Sequence, residues 1–71
     1  MTGEVKRIIV TKAYGFIVAE DKDYFFHKVH YEDLWTDLVD DLEQRQTIKV
    51  EFEPKKTDKG LRATKVSRLY D

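Results

Sequence analysis

Apolar and polar positions divide this chain into five short strands and one helical stretch. Val5 to Val10 carries Val5, Ile8, Ile9 and Val10. It reads as a strand with imperfect alternation, which in a barrel often marks a bulge. Ala13 to Ala19 reads as a second strand, Glu20-Asp21-Lys22-Asp23 as a polar turn, and Tyr24 to Val29 as a third strand, so the second and third form a hairpin. Ile48, Val50 and Phe52 alternate with Lys49, Glu51 and Glu53, the clearest period of two in the chain, with one face buried and one wet. Pro54 to Gly60 reads as a charged turn, and a last strand runs from Leu61 to about Leu69.

The period changes between the third and fourth strands. Leu34, Leu38, Val39 and Leu42 recur at helical spacing within Tyr31 to Gln44. Asp33 is placed to cap this helix, and acids in its first turn suit the helix dipole. Five strands with a helical connection after the third are the order of an all-β, five-stranded OB-type barrel. Nothing repeats and no linker interrupts the pattern, so one domain over 1–71 is expected.

The hairpin concentrates the aromatic residues. Tyr14, Phe16 and Val18 share one face of the second strand, opposite Gly15, Ile17 and Ala19. In the third, Phe25 and His27 oppose Tyr24 and Phe26. A loop over 20–23 pairs Phe16 with His27 and Val18 with Phe25. Tyr14, Phe16, Phe25 and His27 then fall together. Aromatics at period two are more often core than not. Yet Gly15, Ile17, Ala19, Tyr24 and Phe26 are the small and apolar set that fills a narrow barrel. The other face mixes rings with His27, and Lys6, Arg7, Lys12 and Lys28 lie near it in sequence. Planar rings stack bases while cations track phosphates. The reading therefore buries Ile17, Phe26, Val50 and Phe52 and leaves Tyr14, Phe16 and Phe25 substantially exposed.

Composition narrows the function classes. At 71 residues the chain is small, and such chains bury only about 60% of their unfolded surface. A long water-excluded catalytic cleft is not expected. With no cysteine and two histidines, neither a disulfide framework nor a thiolate zinc site is available, and no cofactor is implied. No apolar run approaches the roughly 20 residues that span a bilayer, and the charged N-terminus lacks the apolar core of a signal peptide. A cytoplasmic monomer without membrane attachment is expected.

The net charge of −1 argues against a strongly basic nucleic-acid binder, but it hides a split. Residues 31–44 hold Glu32, Asp33, Asp37, Asp40, Asp41 and Glu43 and no Lys or Arg before position 45. With those six of the 14 acids set aside, 13 bases face 8 acids. A cationic face can therefore exist locally, within about one Debye length.

At the hairpin a family resemblance becomes specific. Lys12-Ala13-Tyr14-Gly15-Phe16-Ile17 resembles the Lys-Gly-Phe-Gly-Phe-Ile motif of bacterial cold-shock proteins, and Asp23-Tyr24-Phe25-Phe26-His27 is similar to their Asp-Val-Phe-Val-His. Gly3-Glu4-Val5-Lys6 resembles their opening Gly-x-Val-Lys. Lys59-Gly60-Leu61-Arg62-Ala63-Thr64-Lys65-Val66 resembles their Lys-Gly-x-x-Ala-x-x-Val. The motifs keep order and spacing along nearly the whole chain, apart from a longer middle. The resemblance implies a barrel that binds single-stranded RNA or DNA on aromatic side chains with little sequence preference, as an RNA chaperone or a modulator of transcription or translation. Carried over by position, its binding set is Lys6, Lys12, Tyr14, Phe16, Phe25 and His27; Arg7, Lys28 and Arg62 complete the candidate nucleic-acid-binding set.

The departures change the expected chemistry. Arg7-Ile8 stands where the family usually has Trp-Phe, and Lys28 where it usually has an aromatic. Ala13 replaces a glycine, and Arg45 stands where a turn glycine is usual. Arg7 can still stack through its guanidinium, whereas Lys28 offers charge alone. Binding weaker and steeper in salt than a standard member's is expected.

Other features read more plainly. His30 reads as a solvated loop residue, and Trp35 as a cover for one barrel end. Lys55, Lys56 and Lys59 could reach nucleic acid, though turns are usually charged for solubility. The acidic segment reads as a solvated helix face, with a protein partner as the minority reading. That minority reading supplies a second function: a diverged OB domain used for protein contact. Catalysis has little support, since Ser67 is the only serine and Asp40 and Asp41 point apart on a helix.

Overall fold

The computed structural model describes residues 1–69. Five strands, β1 (Thr2–Ile9), β2 (Tyr14–Ala19), β3 (Lys22–His27), β4 (Lys49–Thr57) and β5 (Gly60–Arg68), close into a barrel in the order β1-β2-β3-β5-β4. One helix, α1 (Trp35–Glu43), follows β3. Every pairing is antiparallel except the short parallel seam between β3 and β5.

The bulge in the first strand is present, and it explains the broken alternation. Pairing with β2 shifts between Val5 and Arg7, so Lys6 is the extra residue. Val5 points into the core, Lys6 and Arg7 both face water, and Ile8 returns to pack against the core. A second shift, between Glu51 and Glu53 on β4, falls opposite Lys65, whose φ is 50°. Ala63 and Val66 on either side of Lys65 are both buried. Each bulge resets which face the following residues occupy.

The hairpin register differs from the expected one by two residues. Tyr14 pairs with His27, Phe16 with Phe25 and Val18 with Asp23. The connection is not the loop over 20–23 but the two residues Glu20 and Asp21, with φ of 53° and 63°. Both are left-handed, as a type I′ hairpin turn requires. Its sequence lacks the usual Asn-Gly signal, so the turn was not legible from residue type. A shift of two leaves every side chain on its face. Replacing Glu20-Asp21 by Asn-Gly is expected to raise unfolding stability by about 1 kcal/mol, because those residues accept positive φ at lower cost. The midpoint of urea denaturation measures it; a midpoint that falls speaks against this turn.

Other boundaries move: β1 begins at Thr2, and β3 ends at His27, so Val29 falls in a 3-10 turn. β4 continues through Pro54 to Thr57, so the turn is only Asp58-Lys59. Its β1 pairing covers Lys49 to Glu51, and beyond that proline sits on a strand with no β1 partner for its missing N–H. Asp33 does not cap α1: the residue before the helix is Leu34, without a side-chain cap. Asp33 instead accepts from the Arg68 N–H at 2.6 Å, and Arg68 also pairs with Asp41. Leu34 is exposed rather than part of the apolar stripe. Arg45 does take the left-handed position after α1, with φ 60°, and its N–H and that of Gln46 bond back to Leu42 and Asp41. This is the Schellman end that favours glycine.

Ile17, Phe26, Val50 and Phe52 are buried as expected, in one core with Val5, Tyr24, Leu38, Ile48 and Val66. Trp35 covers one barrel end, its ring 6.0 Å from Phe26 and 6.1 Å from Tyr31. Gly15 is required by packing: a Cβ there would lie 2.8 Å from the Arg7 carbonyl and 2.9 Å from the Phe26 ring.

Candidate nucleic-acid interface

Cross-strand pairing assembles the site. Arg7 on β1 lies beside Phe16 on β2, Phe16 beside Phe25 on β3, and Phe25 beside Arg62 on β5. One row thus crosses four strands as Arg, Phe, Phe, Arg. The β1 bulge makes this possible, because unbroken alternation from buried Val5 would turn Arg7 inward. Tyr14 and His27 form the next row, and Val18 and Asp23 the row on the other side.

The rings form a cluster. Tyr14 and Phe25 are 4.9 Å apart with a tilt of 37°, while Phe16 meets Phe25 and Tyr14 edge-on at 5.9 Å and 5.8 Å. The Arg7 guanidinium lies over the Phe16 ring at 5.2 Å, and that of Arg62 over the Phe25 ring at 4.9 Å. Tyr14, Phe16 and Phe25 are therefore half-buried, not substantially exposed as expected. They are on the outer face, but they cover one another and two cations cover them.

His27 has a structural task. Its Nδ1 accepts the Val29 N–H at 3.2 Å and so caps the short 3-10 turn Lys28–His30. An accepting Nδ1 leaves the neutral ring's proton on Nε2. Lys28 and Lys12 are exposed in the two turns at the His27 end, held near each other by the Lys28 N–H bonding to the Ala13 carbonyl. Ala13 adopts φ 55°, the conformation for which glycine is best suited. Lys6 reaches Asp23 at 3.7 Å, with both side chains more than half exposed. An ion pair of that kind contributes little and is readily exchanged for a phosphate. Asp23 was missed as a neighbour of this face because only the true register places it opposite Val18.

Seven of the nine candidate residues thus share one face, and Lys12 and Lys28 border it. Of the turn lysines weighed in the sequence, Lys55 proves to lie on β4 as the cross-strand partner of Arg62, and it extends the row onto the fifth strand. Among the described residues no helix is long and apolar enough to cross a membrane, and no group of three or more histidine, cysteine or acidic side chains could hold a metal ion.

No curated protein matches the chain. The family model described as the 'Cold-shock' DNA-binding domain matches residues 1–69, almost the whole sequence. A closed five-stranded barrel whose outer face carries clustered rings and cations agrees with that match. The chain belongs to the cold-shock domain family, a family of non-catalytic nucleic-acid-binding domains.

Proposed function

We propose that the chain binds single-stranded RNA or DNA by stacking bases on Tyr14, Phe16 and Phe25 while Lys6, Arg7, Lys12, Lys28 and Arg62 contact phosphates. The observation that carries this reading is the Arg7–Phe16–Phe25–Arg62 row. Rings that served only the core would not lie under two guanidiniums on the outer face. Those guanidiniums must yield a ring face to an incoming base. Magnitudes favour the exchange: an exposed cation–π contact contributes about 0.5–1 kcal/mol, and a stacked base about 1–3 kcal/mol. A displaced guanidinium then swings to a phosphate or stacks on the base's outer side.

Base stacking and charge neutralisation read neither base identity nor sugar strongly. Such binding suits an RNA chaperone or a general modulator of transcription or translation. Trp35, the one tryptophan, packs on Phe26 and Tyr31 at the barrel end and is a poor reporter of this face. The test is therefore the anisotropy of labelled oligothymidine and oligouridine titrated across salt. Three to five cations on phosphates predict a log–log slope of about −2 to −3.5 for single strands. Absence of binding at low salt would sink the reading and bring a protein-contact role forward.

A further inference from the structure

The row of outward side chains does not stop at Arg62. It continues through Lys55 into a surface concavity of about 390 Å³ lined by Lys55, Lys59, Arg62, His30, Thr57, Thr64 and one acid, Asp58. Lys55 and Arg62 are direct cross-strand partners. Like charges at that spacing destabilise a sheet unless something neutralises them. The nearest acid on the same face of β4, Glu53, pairs with Lys65 at 3.7 Å, an exposed contact, and not with Lys55 or Arg62. Among the described residues no ion pair involves Lys55, Lys59 or Arg62.

The hydroxyls that line the concavity are committed to the fold. Thr57 Oγ1 donates to the Gly60 carbonyl and accepts from the Lys59 N–H, and Thr64 Oγ1 donates to the Glu53 carbonyl. Recognition there falls to the cations. Three fixed positive charges against one acid leave a surplus of two. An internal phosphodiester carries one negative charge; a terminal phosphomonoester carries close to two near neutral pH. Arg62 joins the concavity to the aromatic cluster, because its guanidinium rests on Phe25 at 4.9 Å.

We propose that this concavity is a subsite for the terminal phosphomonoester of a single strand whose neighbouring bases stack on Phe25 and Phe16. The proposal rests on the stacking reading above. It makes the chain a binder that favours phosphorylated strand ends, such as those left by cleavage, over hydroxyl ends.

The test uses oligothymidines of about four to six nucleotides, short enough that the end must lie beside the rings. The same sequence is made with a 5′-phosphate, with a 3′-phosphate and with hydroxyls at both ends. One phosphorylated form should bind about three- to tenfold more tightly than the hydroxyl form at low salt, the gain of a few exposed charge contacts. The preferred end shows which way the strand runs. The gain should shrink as salt is added. In the Lys55→Gln, Lys59→Gln double variant the preference should vanish, while the melting temperature is no lower than the parent's because a like-charge pair has been removed. Equal binding of all three forms overturns this proposal and leaves the stacking reading intact. A preference that survives the double variant also overturns it, since the phosphate then sits elsewhere. Failure of all three to bind overturns both.

Discussion

Phe26→Ala is expected to remove about half of the chain's stability. The Phe26 side chain is fully buried, and truncating a buried phenylalanine costs about 3–5 kcal/mol through lost transfer energy and the cavity left behind. A chain of 71 residues has a total stability of about 4–10 kcal/mol at ordinary values per residue. Relaxation offers little relief, because Phe26 packs at once on Tyr31, Trp35 and the backbone at Gly15. Circular dichroism during urea denaturation measures the loss. A midpoint near the parent's would mean that this ring is not core and that the hairpin faces are reversed.

At the adjacent position, Phe25→Ala should do the opposite. Oligonucleotide binding is expected to weaken by about 1–3 kcal/mol, the contribution of one stacked base. Stability should fall by only about 1 kcal/mol, because what is lost is ring contact with Tyr14 and Phe16 on a half-buried surface. The Arg62 guanidinium loses its resting place on the ring, so its phosphate contact becomes less ordered but keeps its charge. The salt slope should therefore stay near the parent's while affinity drops at every salt concentration. Anisotropy titrations and a parallel denaturation curve separate the two effects. Collapse of stability with Phe25→Ala would mark the ring as core and remove the basis of the stacking reading.

The contrast between these neighbours rests on strand geometry. Successive side chains on a strand point to opposite sides, so the facing of Tyr14, Phe16, Phe25 and His27 was legible from residue type alone. It survived an error in register because the error was two residues, and a period of two is blind to even shifts. The bulge was legible for the same reason: Val5, Ile8 and Ile9 cannot all obey one alternation.

What the sequence by itself determined was local: which positions are apolar, which of two faces each occupies, and the order of motifs that marks a cold-shock barrel. Local periodicity carries that information because adjacent side chains are constrained by a single backbone. The tertiary structure decided what is set by chain segments far apart. The Glu20-Asp21 turn fixed the register, with φ values that its residue types do not favour. Asp33 was drawn from a helix cap to the Arg68 N–H, a partner 35 positions away. Pro54 remained in a strand because β1 ends its pairing with β4 before that point. Above all, barrel closure brought β5 beside β3, which set Arg62 on Phe25. No periodicity connects those residues; the parallel seam exists only once the barrel has closed, because only then does burying both edges of the sheet outweigh the entropy of joining them.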